Sequence, residues 1–383
     1  QVQGEWRIVS APNGIILDRS TFVAVWTPRQ IYFLTPDNRL AAETRWFLNR
    51  ATLSTQIVTE LLSGPAGVDS GAMRTAFPSG TALIANSVPV SDGTAQIDLS
   101  PELLTGDADT VEHVKRQLAT SLHSAPGVTR FEISVGGAEI ESGPVTAPES
   151  DSRGSDPTQT VVMKDGVLGQ VGPGEIEPLP KIGERIAALS PLGVSLSQDR
   201  TSAAVRHAVS GGQAVSWVGA DDVVTLDLRA GLIDPGLDRF GYVWSYATSD
   251  PGSIHVEKPG EEGQLLELPG IAGRSPLAVR ISPAGNRIAM LTVDDAGRTV
   301  VYVTGIVREK STRPVQLVEE PVPAVWLSGD PIDVDWVDEM RLVALSQAGS
   351  NVKVTLAPLG QLAVDGGSLA SAVMVSGGGA RSM

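Results

Sequence analysis

Met73-Arg-Thr-Ala-Phe-Pro-Ser-Gly-Thr-Ala-Leu83, continued by Val88-Pro-Val-Ser-Asp-Gly-Thr-Ala-Gln-Ile-Asp-Leu-Ser100, is the stretch whose reading decides the fold. Pro78-Ser-Gly80 reads as a turn. Val88, Val90, Ala95, Ile97 and Leu99 then alternate with small or polar residues, the period of a half-buried antiparallel pair. Between the two runs, Ser91-Asp92-Gly93 supplies the positive φ that a tight hairpin needs. Upstream, Thr52 to Leu62 sets Leu53, Ile57, Leu61 and Leu62 on one helical face and stops at Ser63-Gly64-Pro65. Downstream, Asp107 to Leu122 predicts a second helix. Asp107 and Asp109 sit at its positive end, Val111, Val114, Leu118 and Leu122 form its buried stripe, and Pro126-Gly127 ends it. Val128 to Val135 alternates as a closing strand. With a first strand at Ile31–Leu34, these elements predict an α+β sandwich of one sheet and two helices over residues 31–140.

This segment resembles the GerMN domain of sporulation and germination proteins. The resemblance is carried by Leu61-Leu-Ser-Gly-Pro65, Arg74-Thr-Ala-Phe-Pro-Ser-Gly80, Val88-Pro-Val-Ser-Asp-Gly93 and Ile97-Asp-Leu-Ser100, and covers roughly Tyr32 to Ile140.

A chain of 383 residues exceeds one ordinary core and suits two or three domains of about 100–200 residues each. Its net charge of −15, with 29 basic residues, argues against a nucleic-acid surface, which needs a clustered basic stripe. It argues equally against unaided binding to anionic lipid. No apolar run approaches the roughly 20 residues of a membrane-spanning helix. The sequence contains no cysteine, so it offers neither disulfides nor thiolate metal ligands.

Residues 1–30 read as the tail of a preceding domain or a strap: a strand at Glu5–Ser10, a turn at Pro12-Asn-Gly14, and an apolar run from Ile15 to Val25. Leu40-Ala-Ala-Glu-Thr-Arg-Trp-Phe47 leads from the first strand into the first helix. From Glu141 to Thr158, Ser, Gly, Pro, Asp and Glu replace any apolar period, which marks a linker over 141–158. Residues 159–383 are patterned as short strands between Gly, Asp, Asn and Pro turns. A strand–turn–strand unit recurs near Gly193, Leu232, Ala278, Ile332 and Leu369. The spacing drifts around 45 residues, about the blade period of a β-propeller. About five blades are expected, or six if Arg308–Leu327 makes a partial one. Because the last unit is short, Thr160–Met163 and Val167–Val171 are expected to complete the C-terminal blade and close the ring.

The order of the two domains, entered through Trp6-Arg-Ile and Tyr32-Phe-Leu-Thr-Pro-Asp-Asn38, resembles the LpqB family of actinobacterial lipoproteins. That resemblance implies a non-enzymatic accessory protein on the outer face of the plasma membrane. The lipid anchor, signal peptide and further N-terminal domain of that family are not visible in this sequence. It also implies a partner, the extracytoplasmic domain of the sensor kinase MtrB, and a role in the MtrA–MtrB pathway linked to cell wall and division.

The residues themselves offer little chemistry. The four histidines, His113, His123, His207 and His255, are scattered and read as solvated helix and strand residues; His113 and His123 lie nearly three helical turns apart. Gly169-Gln-Val-Gly-Pro-Gly174 superficially resembles a nucleotide loop, but its glycine order, its proline and the lack of a following helix make it a β-turn. Asp330, Asp333, Asp335, Asp338 and Glu339 offer oxygen ligands for Ca²⁺, yet lack an Asp-x-Asp-x-Asp-Gly loop, and read as solvated acidic residues. Alternation sets Asp333 and Asp335 on one strand face and Val334 and Trp336 on the other. No catalytic, cofactor or metal residue is therefore assigned. Trp217, Trp244, Trp326 and Trp336 read as core. Trp46, Phe47, Arg74 and Phe77 are the candidate partner-binding residues, on the enrichment of aromatics and arginine at hot spots. Two rival readings stand: a propeller that captures a cell-wall glycan or peptidoglycan fragment, and an envelope hydrolase.

Overall fold

The fold follows from two separate burial problems, one for each half of the sequence. In the computed structural model the described residues are 19–48, 50, 52–107, 109–148, 160–164, 167–172, 175–309, 312–360 and 372–375. The expected strand at Glu5–Ser10 and the turn at Pro12-Asn-Gly14 lie outside them.

In the N-terminal half the quoted hairpin forms as read. Val90 pairs with Ala95 and Ser91 with Thr94, and Asp92 and Gly93 both take positive φ (50° and 77°), which suits the twist of a two-residue turn. Thr94–Leu99 then pairs in parallel with Arg130–Val135, because a helix, Thr110–Ser121, crosses between them. The first helix spans Leu53–Ser63 and ends at Gly64, φ 86°. The expected closing strand is not the last. Ala138–Pro144 turns back through Gly136 and Gly137 and adds a fourth strand, so Glu141 to Pro144 belong to the sheet rather than to a linker.

The first strand differs from expectation. The run before it folds over Arg19–Val25 as a short helix, and the strand begins at Trp26 and extends to Leu34. Its partner is Leu40–Leu48, the segment read as a lead-in to the helix. The two form a separate ribbon whose Ile31, Phe33 and Phe47 enter the same core as Ile57, Ile97, Leu118 and Phe131. Gln117 ties the ribbon to the rest. Fully buried, it donates to the Tyr32 carbonyl at 2.7 Å and accepts from the Ala76 amide at 2.8 Å.

The C-terminal half is a succession of five sheets. A three-stranded one (Val161–Lys164, Val167–Val171, Ile176–Pro178) is followed by four-stranded sheets beginning at Pro191, Gly236 and Asp330 and a five-stranded one beginning at Arg274. Buried clusters join each sheet to the next: Leu168 with Val205, Ala204 with Val243, Trp244 with Val279, and Ala278 with Val334. This is the stacking of propeller blades, in which each sheet is covered by its neighbours.

Strand assignments within this half differ from the sequence reading in three places. Val161–Lys164 pairs with Val167–Val171, which pairs in turn with Ile176–Pro178, so they do not complete the C-terminal sheet. That sheet has its own fourth strand, Ala372–Val375, hydrogen-bonded to Asn351–Pro358, and the unit near Leu369 is therefore not a blade of its own. Pro314–Leu317 and Val322–Leu327 both pair with the long strand Thr299–Arg308, so 308–327 adds no partial blade. A local partner a few residues away closes at a smaller entropic cost than one across the whole domain.

Replacing Gln117 with alanine strands one buried carbonyl and one buried amide, and is expected to cost about 2–4 kcal/mol. Urea denaturation measures it. A loss under about 1 kcal/mol would mean that the ribbon is held by apolar packing alone.

Candidate functional site

The four candidate partner-binding residues do not gather into one surface. Phe47 and Phe77 are core residues, 3% and 5% exposed, packed with Ile57 and Leu118, and present nothing to a partner in this structure. Arg74 is exposed; its guanidinium bonds to the Asn38 side chain, while its backbone bridges to Leu34. Trp46 is half-buried, tilted against Phe22 at 4.9 Å, and its indole N–H donates to the Gly360 carbonyl at 2.8 Å. A hydrophobic residue beside an arginine looked like a hot spot in the sequence; in the fold the apolar members serve the core.

The Trp46 contact belongs to a larger feature, the junction of the two halves. Among the described residues, propeller-side contacts come from the turns between first and second strands, at Arg239, Ala284 and Met340, and from the end of a third strand, at Gly360. Arg287 is the centre of the junction. Its side chain is 2% exposed, with Nε and Nη2 donating to the two Asp69 oxygens, both at 2.7 Å. Nη2 also reaches the Ala42 carbonyl at 2.6 Å, and Nη1 the Glu339 carbonyl at 2.9 Å. This is the bidentate fork that a guanidinium offers and an ammonium does not. Burial works against the charge, but Asp69 more than restores it, and the Arg287 pKa is pushed above its ordinary value. Nearby, burial raises the Glu43 carboxyl even though Arg45 donates to it at 2.6 Å.

Other contacts surround this centre. Arg239 pairs with Asp37 at 2.5 Å. Ala284 enters the N-terminal core, and Tyr32, Ala42 and Met340 pack together. A Cβ built at Gly305 would collide with the Val68 carbonyl oxygen, so glycine is required there for the backbones to approach. Below Arg239, Arg308 and Asp238 form a second fully buried pair at 2.6 Å. Asp238 also accepts the Trp244 indole N–H and the amides of Phe240 and Tyr242, which fixes the turn that carries Arg239.

The acidic cluster resolves into structural bonds. Asp333 is buried and accepts from Arg280 at 2.8 Å, Asp338 accepts from Arg341, and Glu339 is buried with Oε1 on the Ala284 amide. The reading of Asp333 and Glu339 as solvated is thus corrected: tertiary donors from a neighbouring strand and turn make their burial tolerable. Among the described residues no group of His, Asp and Glu is placed to hold a metal ion. His207 is likewise buried, not solvated, and bonds to Ser216 Oγ at 2.9 Å, which contacts Thr225 Oγ1 at 3.2 Å. His113 is half-buried and His123 exposed. Trp244 and Trp336 are core, as read, while Trp217 and Trp326 are half-buried.

The fourth histidine sits in a second charged cluster of mixed sign that the sequence did not reveal. His255 Nδ1 lies 3.9 Å from Asp227 and Nε2 lies 3.5 Å from Glu257. Arg229 bonds to Asp227 at 2.9 Å and to Asp250 at 3.2 Å. Burial pushes the imidazole below its ordinary value, despite Asp227. Burial also opposes ionisation of Asp227, but donors from Arg229 and Ser245 more than offset it and hold that carboxyl low. Burial raises Glu257.

These directions fix a pH dependence. A histidine depressed by folding contributes stability above its unfolded value, about 6.5, and that stability is lost as pH falls below it. Asp227 has the same sign at lower pH. Glu257 has the opposite sign, its contribution being lost as pH rises from near its unfolded value of about 4.3. The melting temperature is therefore expected to fall between pH 7 and 5.5, with a shallower slope in His255→Gln; an unchanged slope would assign the dependence elsewhere. At the junction, Arg287→Ala is expected to cost about 3–5 kcal/mol by leaving Asp69 buried and unpaired, and to increase the radius of gyration in small-angle scattering. A variant as compact and stable as the parent would show that apolar contacts alone hold the halves.

Two families match this sequence. Residues 30–141 match the Germane family, described by sporulation and spore germination, and residues 166–382 match the lipoprotein LpqB beta-propeller domain. Among curated relatives, Lipoprotein LpqB of Streptomyces coelicolor is 26% identical over 94% of this chain and 64% of its own length. Lipoprotein LpqB of Thermobifida fusca is 24% identical over 82% of this chain and 59% of its own. The chain spans about three fifths of the length of these relatives. The solved first GerMN domain of the sporulation protein GerM from Bacillus subtilis is 17% identical, with a TM-score of 0.25, covering 32% of this chain and 96% of that one.

Proposed function

The chain belongs to the family of lipoprotein LpqB, and from that premise we propose that it is an accessory protein of the bacterial envelope that binds a sensor kinase rather than catalysing a reaction. The observation that supports this reading is continuity. The similarity to LpqB lipoproteins runs through both halves, and the two halves share one buried junction instead of presenting separate sites. A rigid two-part body suits recognition of a protein surface, because little ordering entropy is lost on docking. No helix of the described residues is long and apolar enough to cross a membrane. In this reading a lipid holds the protein at the outer face of the plasma membrane; the relatives are named lipoproteins.

The partner proposed is the extracytoplasmic domain of an MtrB-like kinase in a two-component pathway tied to cell wall and division. Arg74 and Trp46 are the candidate contacts left near the surface. They lie on the N-terminal unit, Arg74 beside the Thr35–Arg39 turn and Trp46 on the ribbon next to Gly360.

Calorimetric titration of this chain with that kinase domain at moderate salt tests the proposal, with soluble peptidoglycan fragments titrated in parallel. Saturable kinase binding, weakened severalfold by Arg74→Glu, is the expected result. Heat from the glycan without any from the kinase would replace the proposal with a glycan-binding propeller.

A further inference from the structure

A cleft of about 350 Å³ opens on the N-terminal unit. The helix Thr110–Ser121 forms its base. On one side stand the end of the strand Ala138–Pro144 and the residues that follow it; on the other stands the turn that ends at Leu40. Tyr32, Leu40 and Phe131 give it apolar walls, and Arg39, Lys115 and Arg116 line it with a single carboxylate, Glu112. Three cations against one acid run counter to a chain whose net charge is −15.

The walls are built, not incidental. The Thr146 amide donates to the Ala119 carbonyl at 3.1 Å and fastens the outgoing chain to the helix. The opposite turn is closed by Thr35, whose hydroxyl bonds to Asp37 at 2.7 Å and accepts the Arg39 amide at 3.1 Å. A Cβ at Gly143 would stand 3.1 Å from the Phe131 ring, so glycine lets the strand lie close against that ring. Burial pushes the Tyr32 hydroxyl up to about 12, and it adds no negative charge at neutral pH.

The cations differ in their engagement. Lys115 lies 3.2 Å from Glu141 and 3.6 Å from Glu112. Arg116 has no carboxylate within 4 Å among the described residues, and its contact is a long 3.5 Å bond to the Asn38 carbonyl. Its fork is therefore available for a planar anion, which it can bind bidentately. The strand beside it, Ala138–Pro144, is last in its sheet, so its outer edge can take hydrogen bonds from an extended backbone. Ligand pockets run from about 300 to 1,000 Å³, and this one lies at the small end.

We infer that this cleft binds a short peptide bearing a free carboxylate, the carboxylate on Arg116 with Arg39 and Lys115 nearby, and the apolar part against Tyr32, Leu40 and Phe131. The inference does not depend on the kinase reading: either can fail while the other stands.

The test is calorimetric titration of the intact chain with N-acetyl-Ala-Ala and N-acetyl-Leu-Ala as free acids and as C-terminal amides, which carry no carboxylate, at low and moderate salt. Saturable binding of the acids is expected, at least tenfold weaker for the amides and in Arg116→Glu. Ala147→Trp, an exposed substitution on the cleft wall, is expected to block binding without altering a charge, and unchanged melting curves show that both variants fold. The inference is overturned if neither acid gives saturable heat, if acids and amides bind alike, or if both variants keep the parent affinity.

Discussion

The buried pair of Arg287 and Asp69 is the interaction on which the arrangement of this molecule depends. Taking a guanidinium and a carboxylate out of water costs several kcal/mol per ion, and their attraction repays this only when geometry is good and the remaining donors are satisfied. Here four donor contacts of Arg287 go to Asp69, Ala42 and Glu339. Two of these partners lie on the N-terminal half and one on the propeller, so the arginine is satisfied only when the halves are docked in one register. A stretch rich in Ser, Gly and Pro between domains suggests a hinge. With the junction made, the relative placement of the two halves is set by the junction itself.

How much of this was legible in the sequence follows from the range of the interactions. The hairpin at Val90–Leu99 and the helix ended by Gly64 were readable because their signals, a period and a terminator, lie within a few residues. The succession of sheets was readable for the same reason. Leu40–Leu48 was missed because its alternation is blurred: Ala41 and Phe47 face the N-terminal core, while Ala42 packs with Met340 of the propeller. A strand covered on both faces loses the period that would identify it. Phe47 and Phe77 were assigned to a surface because sequence shows a neighbour in the chain and not in space. Nothing local announces that Asp69 will meet a residue 218 positions away.

The acidic residues carry a related lesson. Composition alone makes a chain of this net charge look solvated throughout, yet Asp69, Asp227, Asp238, Asp333 and Glu339 are all buried. Asp69, Asp227, Asp238 and Asp333 each meet an arginine side chain. Such pairs contribute little net stability compared with apolar packing, but any rearrangement that separates them leaves a buried charge. Their effect is selective: they penalise alternative registers of turns and sheets more than they favour the correct one.

The same logic links the cleft to the junction. Asp37 and Arg39 share one tight turn; Asp37 reaches Arg239 on the propeller, and Arg39 lines the cleft. Leu40, next in the chain, lines the cleft and also packs beside Met340 and Leu359. Any ligand that moved this turn would strain the Asp37–Arg239 pair, and below it the turn fixed by Asp238 and Arg308. A cleft occupant and a partner at the junction therefore act on common groups, and coupling between them would be reciprocal by thermodynamic necessity. The direction of that coupling depends on which position of the turn the occupant favours, since a ligand shifts an equilibrium only by its differential affinity for the two states.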